Sequence, residues 1–69
     1  MEYYITLEPS NAGGMDYTLS VNRYAHRDPE RGDEVLGTFT SLEQAMGEIV
    51  QDSRELFVHT FTVTVGHIH

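Results

Sequence analysis

One stretch of the chain is written in a helical period and is flanked on both sides by stretches written in a period of two. That combination constrains the fold more than any other feature of the sequence. Leu42, Ala45, Met46, Ile49, Ser53 and Leu56 fall at i, i+3, i+4, i+7 spacing and form a single stripe. Ser41 precedes the stripe as an N-cap, with Gln44 three residues later, the pattern of a capping box. Thr40 with Glu43 offers an alternative register for the same cap. Gly47 lies off the stripe, where solvent is expected, and lowers helix propensity by about 1 kcal/mol relative to Ala.

Elsewhere the chain alternates. Tyr3, Ile5 and Leu7 point one way, and Glu2, Tyr4, Thr6 and Glu8 the other. Tyr17, Leu19 and Val21 oppose Asp16, Thr18, Ser20 and Asn22 in the same manner. Between these two strands, Pro9 to Gly14 is rich in turn residues, which predicts an antiparallel hairpin closed by a loop of several residues. Residues 26–33, His-Arg-Asp-Pro-Glu-Arg-Gly-Asp, carry no apolar side chain and read as an exposed loop. A third strand is expected from Glu34 to Thr40, with Val35 and Phe39 on one side and Gly37 between them, where a Gly allows close approach of the helix or a local bulge. A fourth is expected from Phe57 to Val65, with Phe57, His59, Phe61, Val63 and Val65 sharing a face. His59 on that face is expected to be partly buried, and Gly66 to mark a bulge or the end of pairing.

The element order is then β-β-β-α-β, an α+β domain spanning residues 1–69. The first three strands form a meander. The helix carries the chain back so that the last strand runs parallel to the first, in spatial order 3-2-1-4, by a right-handed crossover. The sheet is mostly antiparallel and four-stranded, with the helix on one face and a threonine-rich face in water.

With 69 residues there is room for one sheet and one helix around a thin core, not for an enclosed substrate cavity. A hydrophobic content of 39% with 22% charged residues is that of a folded chain. No apolar run is long enough to span a membrane, and the start, Met1-Glu2-Tyr3-Tyr4, lacks the features of a secretory signal, so a cytoplasmic location is expected. There are no cysteines, which removes disulfides and thiolate metal sites.

Charge is the unusual feature. Eleven Asp and Glu face four basic residues, all arginine (Arg23, Arg27, Arg31 and Arg54), for a net charge of −7. Direct nucleic-acid binding needs a basic footprint and is disfavoured. An acidic surface attracts basic partners instead, or serves solubility in a salty cytoplasm.

Three segments resemble the N-terminal domain of HicB-type antitoxins: Tyr3-Tyr4-Ile5-Thr6-Leu7-Glu8-Pro9, the Gly13-Gly14 turn, and Gly37-Thr38-Phe39-Thr40-Ser41-Leu42-Glu43-Gln44-Ala45. The resemblance covers the first fifty residues or so. It implies a truncated ribonuclease-H-like β-β-β-α-β domain that binds a small, basic, RNA-cleaving toxin. The family's Pro- and Gly-containing segment before the third strand is replaced here by residues 26–33, and no DNA-binding domain follows within this sequence. In size and charge alone, the chain also resembles small phage-encoded inhibitors such as anti-CRISPR proteins, some of which mimic nucleic acid.

No catalytic constellation emerges. Glu8 with Glu43 or Glu48 supplies part of a ribonuclease-H-like metal site, but residues 56–69 contain no Asp or Glu to complete it. His59, His67 and His69 offer metal ligands only if the last strand bends. No cofactor is expected. The partner-binding candidates are acidic. Glu48, Asp52 and Glu55 recur at i, i+4, i+7 beside the apolar stripe, where Glu48 and Asp52 repel and Glu55 opposes the helix dipole. Glu43 joins them from the first turn. Asp28, Glu30, Asp33 and Glu34 form a second cluster. The function these features favour is a non-enzymatic protein that inhibits a basic, nucleic-acid-binding protein. The alternatives are a homodimer pairing through an edge strand, or a salt-adapted domain.

Overall fold

The computed structural model describes residues 1–23, 30 and 32–67. Its elements are β1 (Glu2–Pro9), β2 (Met15–Asn22), β3 (Glu34–Phe39), α1 (Leu42–Glu55) and β4 (Thr62–His67). They form one four-stranded sheet in the order β3-β2-β1-β4, with β1 antiparallel to β2, β2 antiparallel to β3, and β1 parallel to β4. The α+β topology expected from the sequence is the one observed.

The hairpin register follows from alternation: Tyr3 faces Val21, Ile5 faces Leu19 and Leu7 faces Tyr17. Any one-residue slip would turn these side chains out of the core. The loop closes through Ser10 N–H to Gly14 O (3.0 Å) and Gly13 N–H to Ser10 O (3.1 Å). Gly13 and Gly14 adopt φ of +93° and +77°, which residues with a Cβ rarely do. The core consists of Tyr3, Ile5, Leu19, Val21, Ala45 and Ile49, with Leu7, Tyr17, Leu36, Phe39, Phe61 and Val63 packed around it.

The helix is capped as the sequence predicts, with one shift. Ser41 Oγ accepts from Gln44 N–H (3.2 Å). Gln44 Oε1 reaches past Ser41 to accept from Thr40 N–H (3.2 Å) and Thr40 Oγ1 (3.0 Å). Only Ala45, Ile49 and Ser53 are fully buried along α1, while Leu42, Met46, Val50 and Leu56 remain substantially exposed. The buried stripe is therefore narrower than its apolar spacing suggests. The helix rests mainly on β2 and β3.

Four expectations are corrected. In β3, Leu19 pairs with Gly37 but Ser20 pairs with Val35, so Leu36 is an extra residue, a β-bulge. The bulge reverses the alternation. Val35 faces solvent at 66% exposure and Leu36 takes the place at the core, so Val35 and Phe39 do not share a face. The Phe39 ring lies across Gly37, where an added Cβ would sit 3.3 Å from it.

The last strand begins at Thr62, not Phe57. The helix ends in a Schellman arrangement, with Val58 N–H to Ser53 O (2.9 Å) and Phe57 N–H to Arg54 O (3.1 Å). This places Phe57 at φ +55°, the conformation usually given to Gly, and leaves it 84% exposed. Residues 57–61 are used in the reversal, so His59 is exposed rather than partly buried. Finally, Gly66 does not end the pairing: it lies opposite Thr6, and β4 continues to His67.

Candidate functional site

The acidic candidates are organised by a single cation. Arg23 directly follows β2. Its guanidinium donates to both oxygens of Asp52, Nη2 to Oδ1 at 2.9 Å and Nη1 to Oδ2 at 3.1 Å. Its Nε also donates to Glu34 Oε2 at 3.0 Å. Tyr3 Oη donates to Asp52 Oδ2 at 2.5 Å. One fork thus joins the end of β2, the start of β3 and the last turns of α1, with β1 attached through Tyr3.

The electrostatics follow from this geometry. The Arg23 hydrogen bonds hold the Asp52 carboxyl below its ordinary range, against the opposing effect of burial and with the help of the Tyr3 hydroxyl. Burial, and then the hydrogen bond to Asp52, raise Tyr3 well above an ordinary phenol. Arg23 is held more firmly protonated, chiefly by Asp52. On the open face, Tyr4 donates to Glu2, which raises the Tyr4 hydroxyl, and Thr18 Oγ1 donates to Glu8 Oε1 at 3.4 Å.

Asp52 therefore leaves the set of partner-binding residues. Its side chain is only 13% exposed and both oxygens are engaged, so it anchors the helix to the sheet. Glu43 leaves the set for a different reason. At 100° per residue it lies on the far side of α1 from Glu48, Asp52 and Glu55, where it complements the helix N-terminus.

Of the remaining candidates, Glu34 is brought toward the helix. Because Asp52 and Glu34 share Arg23, the flank of α1 that carries Glu48 and Glu55 lies beside the entry to β3. Glu55 is exposed and accepts from Gln51 Nε2 (3.3 Å), and Glu48 is half-buried. Glu34 is exposed at the start of β3; Glu30 and Asp33 precede it and are exposed, and Asp33 acts on the Tyr4 hydroxyl of the open face. The two clusters that stand apart in the sequence thus meet at Arg23, through Asp52 and Glu34. Asp28, together with Tyr24, His26, Arg27, Pro29, Arg31 and His69, lies outside the described residues.

Sequence reasoning missed Arg23 and Tyr3 as the organisers of this surface. The available signal was phase. Arg23 continues the Tyr17-Leu19-Val21 alternation, so a cation was being directed to the helix side of the sheet, where it needs a carboxylate.

Among the described residues, no three His, Asp or Glu converge to hold a metal ion, and no helix is long and apolar enough to cross a membrane. Comparison with protein-family models, curated proteins and solved structures returned no match.

Proposed function

We propose that this chain is a non-enzymatic binding protein that docks its acidic side on a basic protein and obstructs that partner's nucleic-acid-binding surface. The observation that carries this reading is the shared guanidinium. By bridging Asp52 and Glu34, Arg23 brings the flank of α1 that carries Glu48 and Glu55 alongside the start of β3, which supports reading them as one patch. Such a patch concentrates negative potential and speeds encounter with a basic surface. Exposed carboxylates on a helix flank present anionic oxygens in the way a phosphate backbone does. A HicB-like antitoxin acting on a basic RNA-cleaving toxin, and a phage inhibitor acting on a nuclease, are two forms of the same chemistry.

The test uses the intact protein immobilised as bait in a cell lysate. Basic proteins should be captured near physiological ionic strength, displaced by a competing DNA or RNA oligonucleotide, and released by high salt. The variant Asp33→Lys, Glu48→Lys, Glu55→Lys should lose the capture while keeping the wild-type melting temperature. Asp52 is left unchanged because its reversal would break the anchor. Capture indifferent to salt, to oligonucleotide and to the triple variant would overturn the reading.

A further inference from the structure

The side of the molecule opposite the acidic patch ends in an uncovered strand. Every Asp and Glu of the sequence precedes Leu56, and β4 reads Thr-Val-Thr-Val-Gly-His, with no carboxylate and no proline. Natural sheets usually guard an edge with charge, proline or a bulge, and β4 has none of these.

Its backbone directions can be assigned. Thr62 N–H donates to Met1 O at 3.2 Å, so Thr62 turns its amide and carbonyl toward β1. By alternation Thr64 and Gly66 do the same, and Val63 and Val65 turn theirs outward. Among the described residues, no strand meets those outward groups. On the helix side, Val65 is 50% exposed, because α1 rests on β2 and β3 and leaves this margin of the sheet bare.

We propose that β4 pairs antiparallel with the β4 of a second copy, about a two-fold axis through Thr64, joining two sheets into one. In this register Val63 and Val65 of each copy face Val65 and Val63 of the other as hydrogen-bonded pairs. Thr64 meets its own equivalent as a non-hydrogen-bonded pair, and Thr62 lies opposite Gly66. The cross-strand partners are thus mainly β-branched, the kind that stabilises sheets.

The self-complementary register selects a second copy as the occupant, and charge does not oppose it at this margin. Two bodies of −7 repel wherever carboxylates meet, and the β4 margin brings none together. It also holds each copy's acidic patch at the far end of the joined sheet.

Sedimentation equilibrium of the intact protein at tens of micromolar should show a monomer–dimer equilibrium that shifts toward dimer as ionic strength rises from about 0.05 to about 0.5 M, since salt screens the residual repulsion. Docking by the acidic patch has the opposite salt dependence, so the two readings fail independently. Val65→Lys should yield monomer. The chain has no cysteine, so Thr64→Cys introduces one thiol. A non-hydrogen-bonded pair, with Cα atoms about 4.5 Å apart, is within disulfide reach, so mild oxidation should convert this variant largely to covalent dimer. Thr38→Cys, on the other edge strand, should stay monomeric. As a measurement needing no substitution, amide exchange at Val63 and Val65 should slow with protein concentration while Thr62 and Thr64 stay protected throughout. A monomer at all concentrations, a dimer untouched by Val65→Lys, or equal cross-linking at Thr38 and Thr64 would each overturn the proposal.

Discussion

The two outer strands of the sheet meet solvent on opposite terms. At the β3 edge, Glu34 opens the strand, a bulge at Leu36 interrupts its pairing, and Arg23 ties its entry to α1. At the β4 edge there is no charge, no bulge and little help from the helix. The first edge is defended against other strands and suited to a charged surface, whereas the second is open to backbone pairing. The difference has one source. Asp52 and Glu34 are gathered at the Arg23 guanidinium, and the chain beyond Glu55 carries no carboxylate side chain. The helix shows the same division in miniature. Asp52, Glu48 and Glu55 lie on one flank of its buried stripe, and Met46 and Val50 lie on the other.

The comparison would break most visibly at Asp52. Asp52→Ala leaves Arg23 half-buried without its main partner. It should lower stability by about 2–3 kcal/mol, below the usual range for a broken buried pair because both groups keep some solvent. At about 4–8 °C per kcal/mol for a chain this short, thermal unfolding should show a fall of ten degrees or more. Acid titration should reach the same endpoint. Asp52 has a lowered pKa in the folded state, so its contribution is complete above the ordinary aspartate value. That contribution is lost as the pH falls below this value and through the folded one. Tyr3 acts at the alkaline end. Its raised pKa makes stability decline as the pH rises above the ordinary tyrosine value. Denaturant midpoints measured across pH should show both limbs, with the acid limb missing in Asp52→Asn.

A smaller effect of opposite sign is expected between α1 and β4. Phe57→Gly relieves the left-handed conformation and should raise stability by about 0.5–1 kcal/mol. A loss of stability would mean that the ring has a packing role that its 84% exposure does not suggest. The smallest effect belongs to Glu34→Gln. This side chain is 61% exposed, so its pairing with Arg23 is screened and should be worth less than about 0.5 kcal/mol in chemical denaturation. A change as large as that at Asp52 would erase the distinction between anchor and periphery.

The topology was legible because every element but one keeps an unbroken period. Alternation over Tyr3–Leu7 and Tyr17–Val21 sets the hairpin register, and the Leu42–Leu56 stripe sets the helix and its buried side. Two failures arose where a backbone event changes phase without changing composition. The Leu36 bulge swaps the roles of Val35 and Leu36. The helix cap turns Phe57 into a left-handed residue and delays β4 by five residues. Gly37 marks the bulge but not which residue it inserts, and the cap carries no local marker, since Gly would have signalled it and Phe conceals it. The candidate surface was legible as a set of carboxylates but not as a geometry. Sequence spacing places Asp52 with Glu48 and Glu55. Only the fold shows that Arg23 and Tyr3 turn it inward, while Glu34 and its neighbours are brought alongside.

The position of Tyr3 has a practical consequence. Its ring stands edge-on to Phe61, with centroids 5.2 Å apart at 84°, while its hydroxyl is bound to a carboxylate. The protein contains no tryptophan to mask phenolic emission. A buried phenol hydrogen-bonded to an anion emits weakly and absorbs further to the red than one in water. The state of the whole Arg23 junction can therefore be followed optically in the unlabelled protein, with Tyr3→Phe supplying the blank that separates this signal from the other three tyrosines.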